Sequence, residues 1–380
     1  MKSTPARDII AVFVLTRLIL MMVTYFGYIL LTAAKYSSTP VDTTTFFTLW
    51  NHWDAARYLA IAQHGYQTLY DLAFFPLFPL LIAVFSYPLG SWSFLLIGTL
   101  ISNGALLTSL FILYQLAAES FNEQVGRRTV LYICIFPTAL FFFAAYNESL
   151  FLLLTSGTFL ALRRQKWLLA GLLGLFAALT RSTGIFLVVP YAYELWLVRE
   201  NIFSNIKNSI FGLLPIVFIP LGTFLYSLYC WHISGNPLAF AAVQIHWARQ
   251  FSWPWQGIWQ ALFELLWNQP FGSFFEVHTL LDLSATLGFI VLTIVGWRTL
   301  RTSYTLWAGV LLFFTCLSSS LGQHDALISN QRFVLELFPC FITLANLGVK
   351  HPRIHQAILI AFPPLLATLS LVFVMNLWMV

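Results

Sequence analysis

The sequence predicts an all-α integral membrane protein: a single bundle over 1–380 of about eleven transmembrane helices, with a long, partly helical first outer loop. Three observations predict it. Of the 380 residues, 59% are apolar and only 9% are charged, against about 25% charged in ordinary soluble domains. Apolar runs of membrane-spanning length recur from Ile9 to Leu377, broken only by short polar punctuation, so lipid is the solvent for most of the chain. The net charge of +5 is scattered between these runs, and that pattern speaks to topology rather than to nucleic acid. With the amino terminus inside, Lys2, Arg7, Arg127, Arg128, Arg163, Arg164, Lys166, Arg199, Lys207, Arg298, Arg301, Lys350 and Arg353 are cytoplasmic, thirteen of the 19 basic residues. Lys35, Arg57, Arg181, Arg249 and Arg332 remain outside and Arg17 lies inside the first span, which is the asymmetry that cytoplasmic loops impose.

The first apolar run, Ile9 to Ala33, is longer than a signal-peptide core and has no small-residue cleavage pattern behind it, so it reads as a retained span. Within it Arg17 must pair or snorkel. The first outer loop covers 34–92. Its segment Phe74 to Pro88 is apolar enough to span, yet a full crossing there inverts every later loop; Pro76, Pro79 and Pro88 fit an interfacial or re-entrant piece instead. Spans follow near 93–118, 129–146 and 148–162. The run from Leu168 to Val198 splits into two helices, near 167–180 and 183–198, hinged at Thr180 to Gly184, because one helix would leave Arg181 near its middle. After a span near 209–231 comes a second outer loop, 232–278, carrying Trp247, Trp253, Trp255, Trp259 and Trp267. Trp prefers the membrane interface, so this loop either lies on the membrane or lines a groove for a lipid carrier or glycan. The last spans fall near 279–297, 304–321, 333–348 and 355–377. Cys134, Cys230, Cys316 and Cys340 sit in or beside apolar runs without metal-ligand spacing and read as packing. No repeat of fixed period and no duplicated halves appear.

The segment Asn51 to Tyr66, NHWDAARYLAIAQHGY, is the most informative. Asp54 stands among aromatic and apolar residues at the start of a short helix, a setting suited to a general base; a helix cap, or a partner for Arg57 three residues on, explains it as well. Glu148 follows Tyr146 and Asn147 at a tight junction between two spans, where its carboxylate is expected to face the same water as Asp54 or to open the next helix. Arg181 and Arg332 lie at helix boundaries beside small polar residues, where they either supply charge to a departing phosphate or snorkel. Ser329, Asn330 and Gln331 add donors beside Arg332, and Glu336 follows. His52, His64, His246 and His324 fall in outer segments without metal-protease spacing; His324 adjoins Asp325, which leaves a metal or proton-relay site open, and hydrogen-bonding or surface roles are expected. Neither a phosphate loop nor a nucleophile elbow occurs.

These residues resemble the PIG-V-like family, relatives of GPI mannosyltransferase II within the GT-C class of multi-span glycosyltransferases. The matching pieces are WDAARYLAIAQHGY (53–66), FFPLFPLLI (74–82), YNESLFLLL (146–154), ALTRSTG (178–184), GNPLAF (235–240) and QRFVLELFP (331–339). They run in family order and cover most of the chain. The resemblance implies a GT-C-like bundle and an inverting transfer of mannose, or a similar hexose, from a polyprenyl-phosphate sugar to an acceptor hydroxyl on the non-cytoplasmic face. In this pattern Asp54 is the base and Glu148 the second acid. Arg181 and Arg332 hold the carrier phosphate, while Trp53, Arg57, Tyr58 and Gln331 line the substrate. No cofactor and no metal are expected; a lipid or glycan acceptor is, and a partner subunit is compatible. The compact length points toward prokaryotic relatives and an inner membrane, a eukaryotic source to the endoplasmic reticulum. A multi-span secondary transporter and a non-catalytic assembly subunit are the rival readings. Carriers favour related halves and ionisable groups at the bilayer midplane, and a scaffold would leave Asp54 replaceable.

Overall fold

A computed structural model describes residues 4–33, 43–200, 210 and 212–377. The start of the first outer loop, with Lys35, lies outside the described residues, as do Lys2 and Lys207. Helices dominate. Among the described residues the strand pairing is confined to Gln250–Phe251 against Ser318–Ser319. The expected all-α membrane architecture is therefore present.

Five helices are long and apolar enough to cross a bilayer: Pro5–Thr32, Ser91–Ser120, Leu214–Ser234, Phe274–Trp297 and Pro352–Val374. Asn330–Glu336 and Phe338–Lys350 add a sixth if they form one span, bent by 85°. The expected count of about eleven is not reached by this measure, because several apolar runs fold into shorter helices such as Trp167–Thr180 and Thr302–Cys316. At about 1.5 Å per residue, the 10-residue helix Leu77–Ser86 is roughly 15 Å long, half a hydrocarbon core. Pro79 does not break it: it sits in the first turn, where the missing N–H has no partner to lose.

The chain divides into two compact units. The first takes the described residues within Met1–Gly65, Phe78–Leu150 and Leu344–Met379. Its frame is four helices, Pro5–Thr32, Phe94–Ser120, Glu123–Ile135 and Pro352–Val374, of which the first and third each pack on the other three. The Asn122 side chain caps Glu123–Ile135 by accepting the Val125 N–H at 3.0 Å, and Arg127 pairs with Asp8 at the same end. Leu18, Ile19, Met22, Phe26 and Leu30 stay exposed along the first helix, as a lipid-facing stripe does. Arg17 is buried over the Phe13 ring, and its Nε and Nη1 have no hydrogen-bond partner among the described residues.

The second unit takes Tyr66–Leu77 and Phe151–Thr343. Here Trp167–Thr180 lies against Phe218–Ser234, an approach opened by small residues: a Cβ on Gly174 meets Ile219 at 2.6 Å, and one on Gly222 meets the Leu175 carbonyl at 2.5 Å. Such stripes drive helix pairing in lipid, where apolar contact alone does not. Phe274–Trp297 and Thr302–Cys316 pack together, the latter also against Val188–Leu197. An ion pair between the exposed Arg301 and the buried Glu194, Nε to Oε1 at 2.6 Å, is joined by the Ser303 hydroxyl at 2.6 Å. In the second outer loop the helix Pro254–Phe263 carries Trp255 and Trp259 exposed, and Trp253 stacks on Trp255 with ring centroids 5.4 Å apart. Trp247 instead packs on Tyr70 at 4.4 Å.

Candidate functional site

In the first unit, Asp54 opens the helix Asp54–His64 and is half-buried. The helix is entered through Trp53, whose φ of 54° is left-handed, a conformation that a bulky residue holds only where its surroundings force it. Tyr146 supplies part of that force. Its hydroxyl accepts the Asp54 N–H at 3.2 Å and donates to the His52 carbonyl at 3.4 Å. Burial lowers the pKa of His52, against a hydrogen bond from its ring to the Val374 backbone that raises it. Trp53 and Arg57 are exposed, while the Tyr58 ring is buried edge-on against Phe78 at 5.0 Å.

The turn that carries Tyr146 is clamped to the helix Phe94–Ser120: Ser102 Oγ donates to the Tyr146 carbonyl at 2.7 Å, and Asn103 Nδ2 to the Phe143 carbonyl at 2.9 Å. Glu148 follows at the first position of Glu148–Arg163 and is 1% exposed. The expectation that its carboxylate faces open water is corrected here. The clamped turn draws it beneath the surface, beside a helix start whose dipole favours negative charge.

In the second unit, the TRSTG hinge is an interruption between Trp167–Thr180 and the short 3-10 stretch Ser182–Leu187. Arg181 there is extended, and Gly184 is required because a Cβ on it meets the Ala177 backbone at 2.5 Å. Arg181 Nε pairs with Glu336 Oε1 at 2.7 Å, and the Thr183 hydroxyl donates to Glu336 Oε2 at 3.1 Å. The segment Asn330 to Arg332 is entered through Ser329, again left-handed at φ 70°. The buried Gln331 donates its N–H to Asp282 Oδ1 at 2.6 Å, and Asn330 Nδ2 donates to Thr286 at 3.0 Å. Arg332 itself is half-buried. The Arg181 guanidinium lies 5.5 Å from the Phe333 ring centre, and Arg249 lies 4.7 Å from the same ring.

The expected residues thus fall into two sets, Trp53, Asp54, Arg57, Tyr58 and Glu148 in the first unit, Arg181, Gln331 and Arg332 in the second. Among the described residues no three of His, Cys, Asp and Glu gather as metal ligands do.

A family model described as Mannosyltransferase (PIG-V) matches residues 7–372. The chain belongs to that family. Among mannosyltransferase (PIG-V) relatives, human GPI alpha-1,6-mannosyltransferase 2 is 26% identical over 66% of this chain and 57% of its own length. The rat enzyme of the same name is 34% identical over 36% and 29%, and GPI mannosyltransferase 2 of Cryptococcus neoformans 32% identical over 35% and 34%. This chain therefore spans roughly half or less of the curated relatives it matches. In structure it is similar to ArnT from Cupriavidus metallidurans bound to undecaprenyl phosphate, with a TM-score of 0.51 and 13% identity over 83% of this chain and 60% of that one. The likeness bears out the GT-C-like bundle that the PIG-V resemblance implied.

Two charged residues were not singled out for chemistry, Arg249 and Asp282, and Asp325 entered only as the neighbour of His324. Asp282 carried a signal, since it is an acid within an apolar run of spanning length, and such a residue is a functional candidate by default. Arg249 carried none, because only the fold brings it within electrostatic reach of Asp282 and Asp325.

Proposed function

We propose that this membrane protein transfers mannose, or a similar hexose, from a polyprenyl-phosphate sugar to an acceptor hydroxyl, with inversion, on the non-cytoplasmic face. The observation that carries the reading is the family match across residues 7–372. The half-buried acid at the start of an anchored helix supports the assignment of the base. The curated relatives are named mannosyltransferases, and the structurally similar ArnT was solved with undecaprenyl phosphate, a lipid phosphate of the donor's class. The excess of Lys and Arg in alternate loops supports the sidedness.

The step is a single displacement. The acceptor oxygen forms a bond to the anomeric carbon as the bond from that carbon to the phosphate oxygen breaks. The bonding pair leaves on the phosphate, and the acceptor proton passes to Asp54. Attack from the face opposite the leaving group inverts the anomeric centre. Arg332 and Arg181 stabilise the charge that grows on the departing phosphate, with Arg181 oriented by Glu336. Glu148 positions the acceptor or assists Asp54. Trp53 and Arg57, exposed beside the acid, line the substrate with Gln331. Tyr58 contributes through the packing that seats the Asp54 helix.

The test is transfer from radiolabelled polyprenyl-phosphate mannose by the full chain in membranes, wild type against Asp54→Asn at matched folded amounts. A fall of about 100-fold or more is expected from loss of a general base. Full retention removes Asp54 as the base, and absence of transfer by the wild type over a panel of acceptor glycans and lipids overturns the donor class.

A further inference from the structure

We infer that the helix Pro254–Phe263 is an interfacial element, its aromatic face seated among the neutral headgroups of the bilayer and its opposite face roofing the loop 318–327. The inference stands apart from the activity proposed above and needs only that the chain is a membrane protein.

The helix is amphipathic in an inverted sense. Trp255, Trp259 and Phe263 follow one another at four-residue spacing, which places them on one face, and they are 63%, 67% and 44% exposed. Trp267 extends that face, stacked on Phe263 with ring centroids 5.2 Å apart and itself exposed. On the other side Gly257 and Ala261, again four residues apart, are buried. A helix on a water-covered surface turns polar residues outward. An apolar face of this kind marks contact with a membrane or with another protein.

Three observations favour the membrane. The first is continuity. The helix and the stretch after it pack against the spanning helix Phe274–Trp297, which keeps Leu280, Val291 and Ile294 exposed as a lipid-facing surface does, and Phe271 in the connecting turn is 99% exposed. The second is the choice of side chain. The outward groups are mainly indoles, which join an apolar ring to one N–H that stays wet and so concentrate at the bilayer interface. The third is charge. No Lys or Arg stands between Gln250 and Trp297, so the face has no means of drawing in an anionic lipid or an acidic partner, and apolar burial among neutral headgroups is what it offers. A groove for a lipid carrier or glycan would be concave and would cover these rings; they stand open on the outside of a single helix.

The buried face is fastened to the loop 318–327. A Cβ on Gly257 meets Ser319 Oγ at 2.3 Å, so glycine is what lets helix and loop come this close. Gln260 spans the turn of the loop: its Nε2 donates to the Gln323 carbonyl at 3.0 Å, and its Oε1 accepts the Gly322 N–H at 3.2 Å. Gln269 Nε2 donates to the His324 carbonyl at 2.6 Å, and Ala261 packs with Leu283 and Leu327. The seat of the helix in the bilayer therefore sets the position of this loop, which runs on to Ser329 and Arg332.

The test is the collision accessibility of nitroxide labels on the full chain in phosphatidylcholine nanodiscs, placed through Trp259→Cys and Phe263→Cys, with Val291→Cys as the lipid-facing reference. The four native cysteines are buried, and wild type treated with the same label gives the background. Phe263→Cys leaves every tryptophan in place, so the inference stays exposed to test even if Trp259→Cys fails to fold. Oxygen, which partitions into lipid, is expected to collide with both labels more often than a water-soluble nickel chelate, as at position 291. The reverse order shows a face in water and overturns the inference. Labels shielded from both reagents show a face covered by protein, a second copy or another subunit, and overturn it equally. The roofing is read by hydrogen exchange of 318–327. Trp255→Ser combined with Trp259→Ser is expected to speed exchange at the Gly322 amide about two- to tenfold, the loss of roughly one hydrogen bond; unchanged exchange overturns that part.

Discussion

In the first unit the acids of interest each open a helix: Asp54 is half-buried at a start held by Tyr146, and Glu148 is sunk beneath a clamped turn. In the second unit acid and base are interlocked, with Arg181 on Glu336, Gln331 on Asp282, and Arg249 and Arg181 sharing one ring. The difference matters for chemistry. A base must keep a carboxylate able to take a proton, and an ion pair at close range withdraws that ability. A phosphate site instead needs fixed cations, and buried acids hold them in place at the risk of neutralising them. The Arg301 and Glu194 pair shows the neutralised limit, because a third group, Ser303, completes the carboxylate.

The largest effect is expected from Glu336→Leu. It removes the carboxylate that pairs with Arg181, whose side chain is only 14% exposed, and removing one partner of a buried pair costs about 3–5 kcal/mol. Thermal unfolding in detergent measures it. A loss below about 1 kcal/mol breaks the contrast by showing Arg181 already solvated. Tyr146→Phe sharpens the other side. It removes the hydroxyl that accepts the Asp54 N–H, a hydrogen bond worth about 0.5–1.5 kcal/mol, so transfer should fall by up to about tenfold with little change in affinity for polyprenyl phosphate. An equal loss of both shows that the hydroxyl serves the fold and not the acid.

The smallest effect is a pH dependence of stability. Burial is the largest influence on Asp325 and raises its pKa above the ordinary value of 3.8. The folded state then holds a proton that the unfolded state has released, so this group's contribution is complete below the ordinary value and is lost as pH rises from there through the raised one. Asp325→Asn should remove that decline, which denaturant titrations from pH 4 upward will show; an unchanged slope shows that Asp325 does not carry it.

Much of this was legible in the sequence, for reasons specific to lipid. Spans announce themselves by composition, the interruption at Arg181 by a charge that a straight helix places near the bilayer centre, and Asp54 by its aromatic and apolar company. The number of spans was less legible, because apolar length does not distinguish a crossing from the bend at Leu337 or the short helix Leu77–Ser86. Glu148 was placed in the right turn but on the wrong side of its surface, since the clamp by Ser102 and Asn103 is a contact between residues some forty positions apart. Arg249 was passed over for the same reason: it is an ordinary loop charge until the pairing of Gln250 with Ser319 draws the two segments together.

The most direct test of the account measures two quantities on the same variants, turnover with polyprenyl-phosphate mannose and equilibrium binding of polyprenyl phosphate, for Asp54→Asn and Arg332→Gln. The account predicts that Asp54→Asn loses turnover by about 100-fold while binding the lipid phosphate as the wild type does, and that Arg332→Gln weakens binding about tenfold. Loss of lipid-phosphate binding in Asp54→Asn, or undiminished binding in Arg332→Gln, contradicts the division between a base in one unit and a phosphate site in the other.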